Sequence, residues 1–309
     1  MNILITGAAG FIGSHAADWF TKNEYGVVVL DSFTYASNIE NTEGFYEDAI
    51  AGYDLDINEN KQVVYICKHH NIDWIINFAA ETHVDNSIES CSEFIWSNIL
   101  GVSSLLDACR ETGTKLFHIS TDEVYGDIES GSFCEQDRLL PKNPYSATKA
   151  SAENFIIAYS NTYGIEYLMA RPSNNYGPRQ HKEKLLPKMI TNLLNDDKVP
   201  IYGDGKNIRE WTYVKDTVKA IEHILNNSPI NETYNISSNI EKQNIEMVEM
   251  VCIIMNKNSK ESIEYVEDRL GHDFRYSIDC NKLLDIGFKF DSDIEKNIKE
   301  TVESYNGNS

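Results

Sequence analysis

The first thirty-one residues constrain the fold more than any other stretch. Ile3-Leu4-Ile5-Thr6 is a strand-like apolar run, Gly7-Ala8-Ala9-Gly10-Phe11-Ile12-Gly13 follows at once, and Ser14 to Phe20 carries a helical pattern. A buried strand turned by glycines into a helix opens a doubly wound α/β sheet. Gly7, Gly10 and Gly13, spaced G-x-x-G-x-x-G, let the backbone turn tightly and approach a pyrophosphate, whose charge then meets the free N–H groups of the helix start. A Gly-rich turn alone is a loose signal. Here Val27-Val28-Val29-Leu30 comes next and closes on Asp31, eighteen residues after Gly13. An acid there can accept hydrogen bonds from both hydroxyls of an adenosine ribose and would repel a 2′-phosphate. The pattern predicts a dinucleotide site for NAD rather than NADP.

A second constraint lies at Ser120-Thr121-Asp122-Glu123-Val124-Tyr125-Gly126, directly after the apolar run Leu116 to Ile119. Two adjacent carboxylates at a strand end fall where open α/β sheets build their sites. Tyr145 and Lys149 stand four apart in a segment that reads as a helix start, with Asn143-Pro144 before it, so both project from one face. A lysine cation near the phenol would pull it below its usual pKa of about 10 and make it a base near neutrality. Alone, Tyr-x-x-x-Lys is as easily a solvated helix face. After a dinucleotide turn and beside a strand-end Ser-Thr it points to chemistry.

Further strands are expected at Trp74 to Phe78, Glu166 to Ala170 and Thr233 to Ile236, the last returning to the main sheet, with a helix near 60–69. Helical spacing of Phe94, Ile95, Asn98, Val102, Leu105, Leu106 and Cys109 gives an apolar stripe for the sheet or for a partner subunit. After Arg171 the regular alternation stops and Gly/Pro-bearing loops intervene. The expected division is an NAD-binding domain over 1–171, with 206–239 returning to it, and a smaller, discontinuous mixed α/β substrate domain over 172–205 and 240–309.

Charge narrows the partners. With 27 Lys+Arg against 48 Asp+Glu, a net charge of −21, the 309-residue chain has no basic face for nucleic acid. Any anionic ligand must be met by a few placed cations. Six scattered cysteines and the histidines at 69, 70, 83, 118 and 181 show no metal spacing, so no metal is expected. Neither a signal peptide nor an apolar run of membrane-spanning length stands out, and a cytoplasmic protein is expected.

Nearly end to end, the chain resembles the extended short-chain dehydrogenases/reductases, and most closely the dTDP-glucose 4,6-dehydratases. The matching stretches are Thr6 to Ser14, Ala79 to Asp85, Ser120 to Gly126, Tyr145 to Lys149, Ser173 to Pro178, Glu183 to Leu185, Pro200 to Gly203, Ile208 to Trp211 and Asp268 to His272. The acid pair is the specific part, since relatives that epimerise or decarboxylate lack it. The resemblance implies catalysis by Thr121, Asp122, Glu123, Tyr145 and Lys149. It implies NAD contacts from Phe11, Ile12, Asp31, Ser32, Thr34, Asp56, Ile57, Ala79, Ala80, Ser97, Tyr145, Lys149 and Asn175. It implies nucleotide-sugar contacts from Thr82, Thr121, Asn174, Lys184, Leu185, Pro200, Ile201, Tyr202, Arg209, Asn244, Arg269 and His272, and a homodimer through two long helices. Arg209 and Arg269 suit a diphosphate, because guanidinium forks pair with phosphate oxygens; ion pairing with the many surface carboxylates is their other reading. Leu270 replaces a usual proline, the connection from Gly126 to Pro144 is short for the family, and the C-terminal region is trimmed. These departures leave the nucleotide base open. Rival readings are a sugar-nucleotide 4-epimerase, a UDP-glucuronate decarboxylase and a non-catalytic NAD-binding protein.

Overall fold

The computed structural model describes residues 1–267, 275–291 and 293–306. Its centre is a parallel sheet of seven strands: β1 (Asn2–Thr6), β2 (Gly26–Asp31), β3 (Ala51–Asp54), β4 (Trp74–Asn77), β5 (Lys115–Ile119), β6 (Tyr167–Pro172) and β10 (Glu232–Ile236). They lie in the order β10-β6-β5-β4-β1-β2-β3, so the winding reverses beside β1. Side chains alternate across β1 and both faces are covered. Ile3 and Ile5 join Phe20, Ile76, Phe117 and Ile221 on one side, while Leu4 joins Val28, Ile75, Leu116, Val102 and Ile156 on the other. Two buried faces explain why these strands read as unbroken apolar runs. The expected return of Thr233 to Ile236 is seen: β10 pairs with β6 in parallel, Tyr234 opposite Ala170.

Five remaining strands carry the chain across the C-terminal edge. β7 (Asn174–Tyr176), β9 (Ile208–Tyr213) and β11 (Glu241–Gln243) make a three-stranded sheet, and β8 (Val199–Tyr202) pairs with β12 (Ile263–Val266). Three helices, Leu185–Leu194, Asn244–Ile254 and Ile294–Asn306, close a further core around Met189, Ile190, Val251 and Ile298. The helix carrying Phe94 differs from the regular one expected. One wide turn, Ile95–Leu100, interrupts it before Gly101–Thr112. Such turns cluster at functional sites. No helix of the described residues is long and apolar enough to cross a membrane.

Candidate active site

All seven strands are parallel and end at one edge, which gathers there residues far apart in the chain. Past β5, Thr121 is extended and starts a tight turn, Asp122–Tyr125. Its hydroxyl accepts from the Glu123 N–H at 3.4 Å and donates to Asp122 Oδ1 at 3.2 Å. Asp122 is buried, and its Oδ2 finds no hydrogen-bond partner among the described residues. Burial, and then the charges of Glu123 and Glu210, hold its carboxyl well above the usual range, against the Thr121 hydrogen bond and Arg209. Its surroundings favour the neutral acid over the anion. Glu123 accepts instead from Asn143 Nδ2 at 3.1 Å.

Asn143 also starts the helix Pro144–Tyr163. Its Oδ1 accepts from the Ser146 N–H at 2.8 Å, Ser146 Oγ accepts from the Asn143 N–H, and Pro144 occupies the first turn. This cap sets Tyr145 beside the acid turn, where burial and then Glu123 raise the phenol, with the Thr121 hydrogen bond opposing. The expected lowering by Lys149 is thus corrected. Lys149 Nζ donates to the Ile119 carbonyl at 2.7 Å and stands 3.3 Å from His118 Nε2, and burial pulls it down to about 8 against Glu153. Desolvation of the buried phenol and the neighbouring Glu123 carboxylate set the direction of its shift.

At the first turn, Gly7 has φ +68°, and a methyl there would lie 2.7 Å from the Ala79 nitrogen; one on Gly13 would lie 2.1 Å from the Gly7 oxygen. Gly10 donates its N–H to the Gly7 carbonyl, and Phe11 and Ile12 open the first helix. The Asp31 carboxylate accepts from the Ala9 and Phe33 N–H groups, both at 2.8 Å, and burial raises it. Ser32 and Thr34 are exposed beyond it, while Asp56 and Ile57 follow β3, with Asp56 accepting from the Asn58 N–H. Ala79 and Ala80 follow β4, and Ser97 lies on the wide turn. Asn175 Oδ1 is buried with no partner among the described residues. A cavity of about 550 Å³ opens beside Ala9, Asp31, Phe33 and Tyr53; its lining includes none of Thr121, Asp122, Glu123, Tyr145 or Lys149.

The residues expected to meet the nucleotide-sugar come from several elements. Lys184 Nζ donates to the Thr82 carbonyl at 3.0 Å, joining two predicted contacts across the cleft, and Leu185 begins the next helix. On β8, Pro200 and Tyr202 are half-buried, whereas Ile201 points into the helix-lined core. Arg209 sits on β9 with its guanidinium 4.5 Å from the Tyr276 ring centroid. Asn174 lies on β7, and Asn244 opens its helix with a buried Oδ1 that has no partner among the described residues. Arg269, Leu270 and His272 fall outside the described residues.

Comparison with known proteins identifies the family. The family model for GDP-mannose 4,6 dehydratase matches residues 4–301. The chain belongs to the sugar-nucleotide 4,6-dehydratases. This is a family of NAD-dependent hydro-lyases within the extended short-chain dehydrogenases/reductases. The chain is 42% identical over 310 residues to the low-salt glycan biosynthesis protein Agl12 of Haloferax volcanii, covering 99% of each. It is 40% identical to the trifunctional UDP-glucose 4,6-dehydratase, 3,5-epimerase and reductase of Arabidopsis thaliana, matching 99% of this chain and spanning about half, 47%, of that protein. The dTDP-glucose 4,6-dehydratase DesIV of Streptomyces venezuelae, solved with NAD and TYD bound, superposes with a TM-score of 0.96 at 38% identity, covering 100% of this chain and 98% of that one.

Two family-site neighbours escaped the sequence reading. Asn98, counted there in an apolar stripe, accepts from the Glu81 N–H at 2.9 Å and donates to the Glu81 carbonyl and to Thr148 Oγ1, holding the segment after Ala80. A polar residue at a core position was the available signal. The other is His118, whose contact with Lys149 has no local signature in the sequence.

Proposed function

We propose that this chain is an NAD-dependent NDP-glucose 4,6-dehydratase that converts dTDP-glucose to the 4-keto-6-deoxy product. The observation that carries this reading is Asp122, a buried acid whose surroundings penalise its anion and whose Oδ2 is unpartnered among the described residues, immediately next to Glu123 and near Tyr145. Two like acids whose surroundings split them give one proton donor and one acceptor.

The residues present fit the dinucleotide. A Cβ on Gly7 or Gly13 would fill the backbone cradle, Asp31 closes β2, and the Asn175 oxygen lacks a donor among the described residues. The holding set is Phe11, Ile12, Asp31, Ser32, Thr34, Asp56, Ile57, Ala79, Ala80, Ser97, Tyr145, Lys149 and Asn175. When bound, NAD⁺ would supply a hydride acceptor for C4, a hydride donor for C6 once it is reduced, and, while oxidised, positive charge that favours the phenolate. Tyr145, in hydrogen bond with Thr121, takes the proton of the sugar 4-hydroxyl. The 4-ketone acidifies C5–H, Glu123 removes that proton, and Asp122 protonates the departing C6 hydroxyl, which leaves as water. Glu123 then returns a proton to C5. Arg209 meets the diphosphate, with Thr82, Asn174, Lys184, Leu185, Pro200, Tyr202 and Asn244 around the nucleotide-sugar.

The reading has the enzyme work in the cytoplasm as a homodimer, through the apolar residues left exposed on its two long helices. Its test is incubation of the purified protein with dTDP-, UDP-, GDP- and CDP-glucose. A 4-keto-6-deoxy product absorbing in alkali, made fastest from dTDP-glucose, is expected, with solvent deuterium entering C5. Turnover without deuterium at C5 would point to a 4-epimerase, and no product from any of the four would sink the reading.

A further inference from the structure

Tyr125 closes the turn that carries Asp122 and Glu123, and is 1% exposed. Arg171, at the end of β6, reaches it from the far side. Its Nη1 donates to Tyr125 Oη at 2.5 Å and to the Glu135 carbonyl at 3.1 Å. Its Nε donates to both carboxylate oxygens of Glu153 at 3.1 Å, and its Nη2 to Glu153 Oε2 at 2.6 Å. Both charged side chains are nearly or wholly removed from solvent, at 5% and 0% exposure. The phenol in turn donates to Asn235 Oδ1 on β10 at 2.9 Å, and its ring stacks on Phe133 with centroids 5.0 Å apart and planes 8° apart. Asn235 Nδ2 donates onward to the Phe133 and Asp279 carbonyls.

We propose that Tyr125 is a positioning residue for the acid pair, held by a buried Arg171–Glu153 pair that fixes the acid turn against the helix of Tyr145 and Lys149. Glu153 lies on that helix, eight residues or about two turns beyond Tyr145. The guanidinium is planar and offers its donors in a rigid array, so Glu153 and Tyr125 cannot shift independently without leaving a buried charge or phenol unpaired. The same phenol binds the short Gly126–Pro144 connection through Phe133. A loosened turn moves Asp122 and Glu123 relative to Tyr145. The cost then falls on elimination at C5 and C6, while proton removal from the 4-hydroxyl by Tyr145 continues.

This inference rests on the dehydratase reading, and the test separates the two. Tyr125→Phe removes one oxygen and keeps the ring stacked on Phe133. In the holoenzyme with the NDP-glucose that the wild type accepts, kcat should fall about tenfold to a hundredfold, as expected for a misplacement of about 1 Å, with KM within about twofold. In a single turnover the absorbance of reduced nicotinamide should build up above the wild-type level, because oxidation proceeds and elimination lags, and deuterium should enter C5 more slowly. Wild-type rates in both half-reactions would overturn the proposal, as would loss of both in proportion without accumulated reduced nicotinamide. Should Tyr125→Phe not fold, Arg171→Lys keeps the charge and loses the bidentate geometry, and the same accumulation is required of it. A wild-type enzyme that dehydrates none of the NDP-glucoses would sink the parent reading and this inference with it.

Discussion

Asp122 binds its proton more tightly in the folded chain than an unfolded aspartate does, because burial and the charges of Glu123 and Glu210 penalise the anion. Its contribution to stability is then fully present below the ordinary carboxylate pKa and is lost as pH rises through the folded value. Asp122→Asn has no such loss. The gap in melting temperature between this variant and the wild type should open in favour of the variant as pH rises above about 4, and a gap independent of pH would refute the assignment. Glu123→Gln is expected to keep the fold, to stop deuterium entering C5, and to lower kcat by about 10²- to 10⁴-fold, the usual worth of a general base; NMR of the product in heavy water reads both. That two acids stand at a strand end was legible in the chain. That Asp122 is biased toward its neutral form depends on burial that no local pattern records.

The helix Pro144–Tyr163 shows how one cap serves both an element and its chemistry. Asn143-Pro144 announced its start, as such pairs do. The second use of Asn143, donating to Glu123 twenty residues earlier, was not legible, since it depends on how the helix meets the acid turn. Asn143→Ala should cost about 1 kcal/mol in urea unfolding, the usual worth of an N-cap, and also lower kcat. Asn143→Asp should restore the cap and the unfolding midpoint yet keep kcat low, because it sets a carboxylate against Glu123. Recovery of both would show that the Glu123 contact carries nothing.

For the whole molecule, the residues left over by folding matter most. Ile95, Trp96, Leu100, Phe155 and Ile157 remain 40–50% exposed on the two helical segments that flank the site. Grouped apolar exposure of this kind marks an interaction surface. If it joins two copies, Trp96→Asp combined with Phe155→Asp should convert a dimer to a monomer by light scattering, and an unchanged mass would remove this face as the interface.

Periodicity and turn chemistry within short windows determined the doubly wound sheet, the Gly7 to Gly13 turn, the acid at Asp31 and the helix bearing Tyr145, because each reports how a few neighbouring residues face core or solvent. The tertiary structure alone decided that β7, β9 and β11 would form a sheet of their own, since their partners lie far apart in the chain, and it alone decided the upward shift of the Tyr145 phenol. It alone decided that Tyr125 would meet Asn235, 110 residues away. Local patterns encode which face is buried; what lies against that face is settled only when distant strands end side by side.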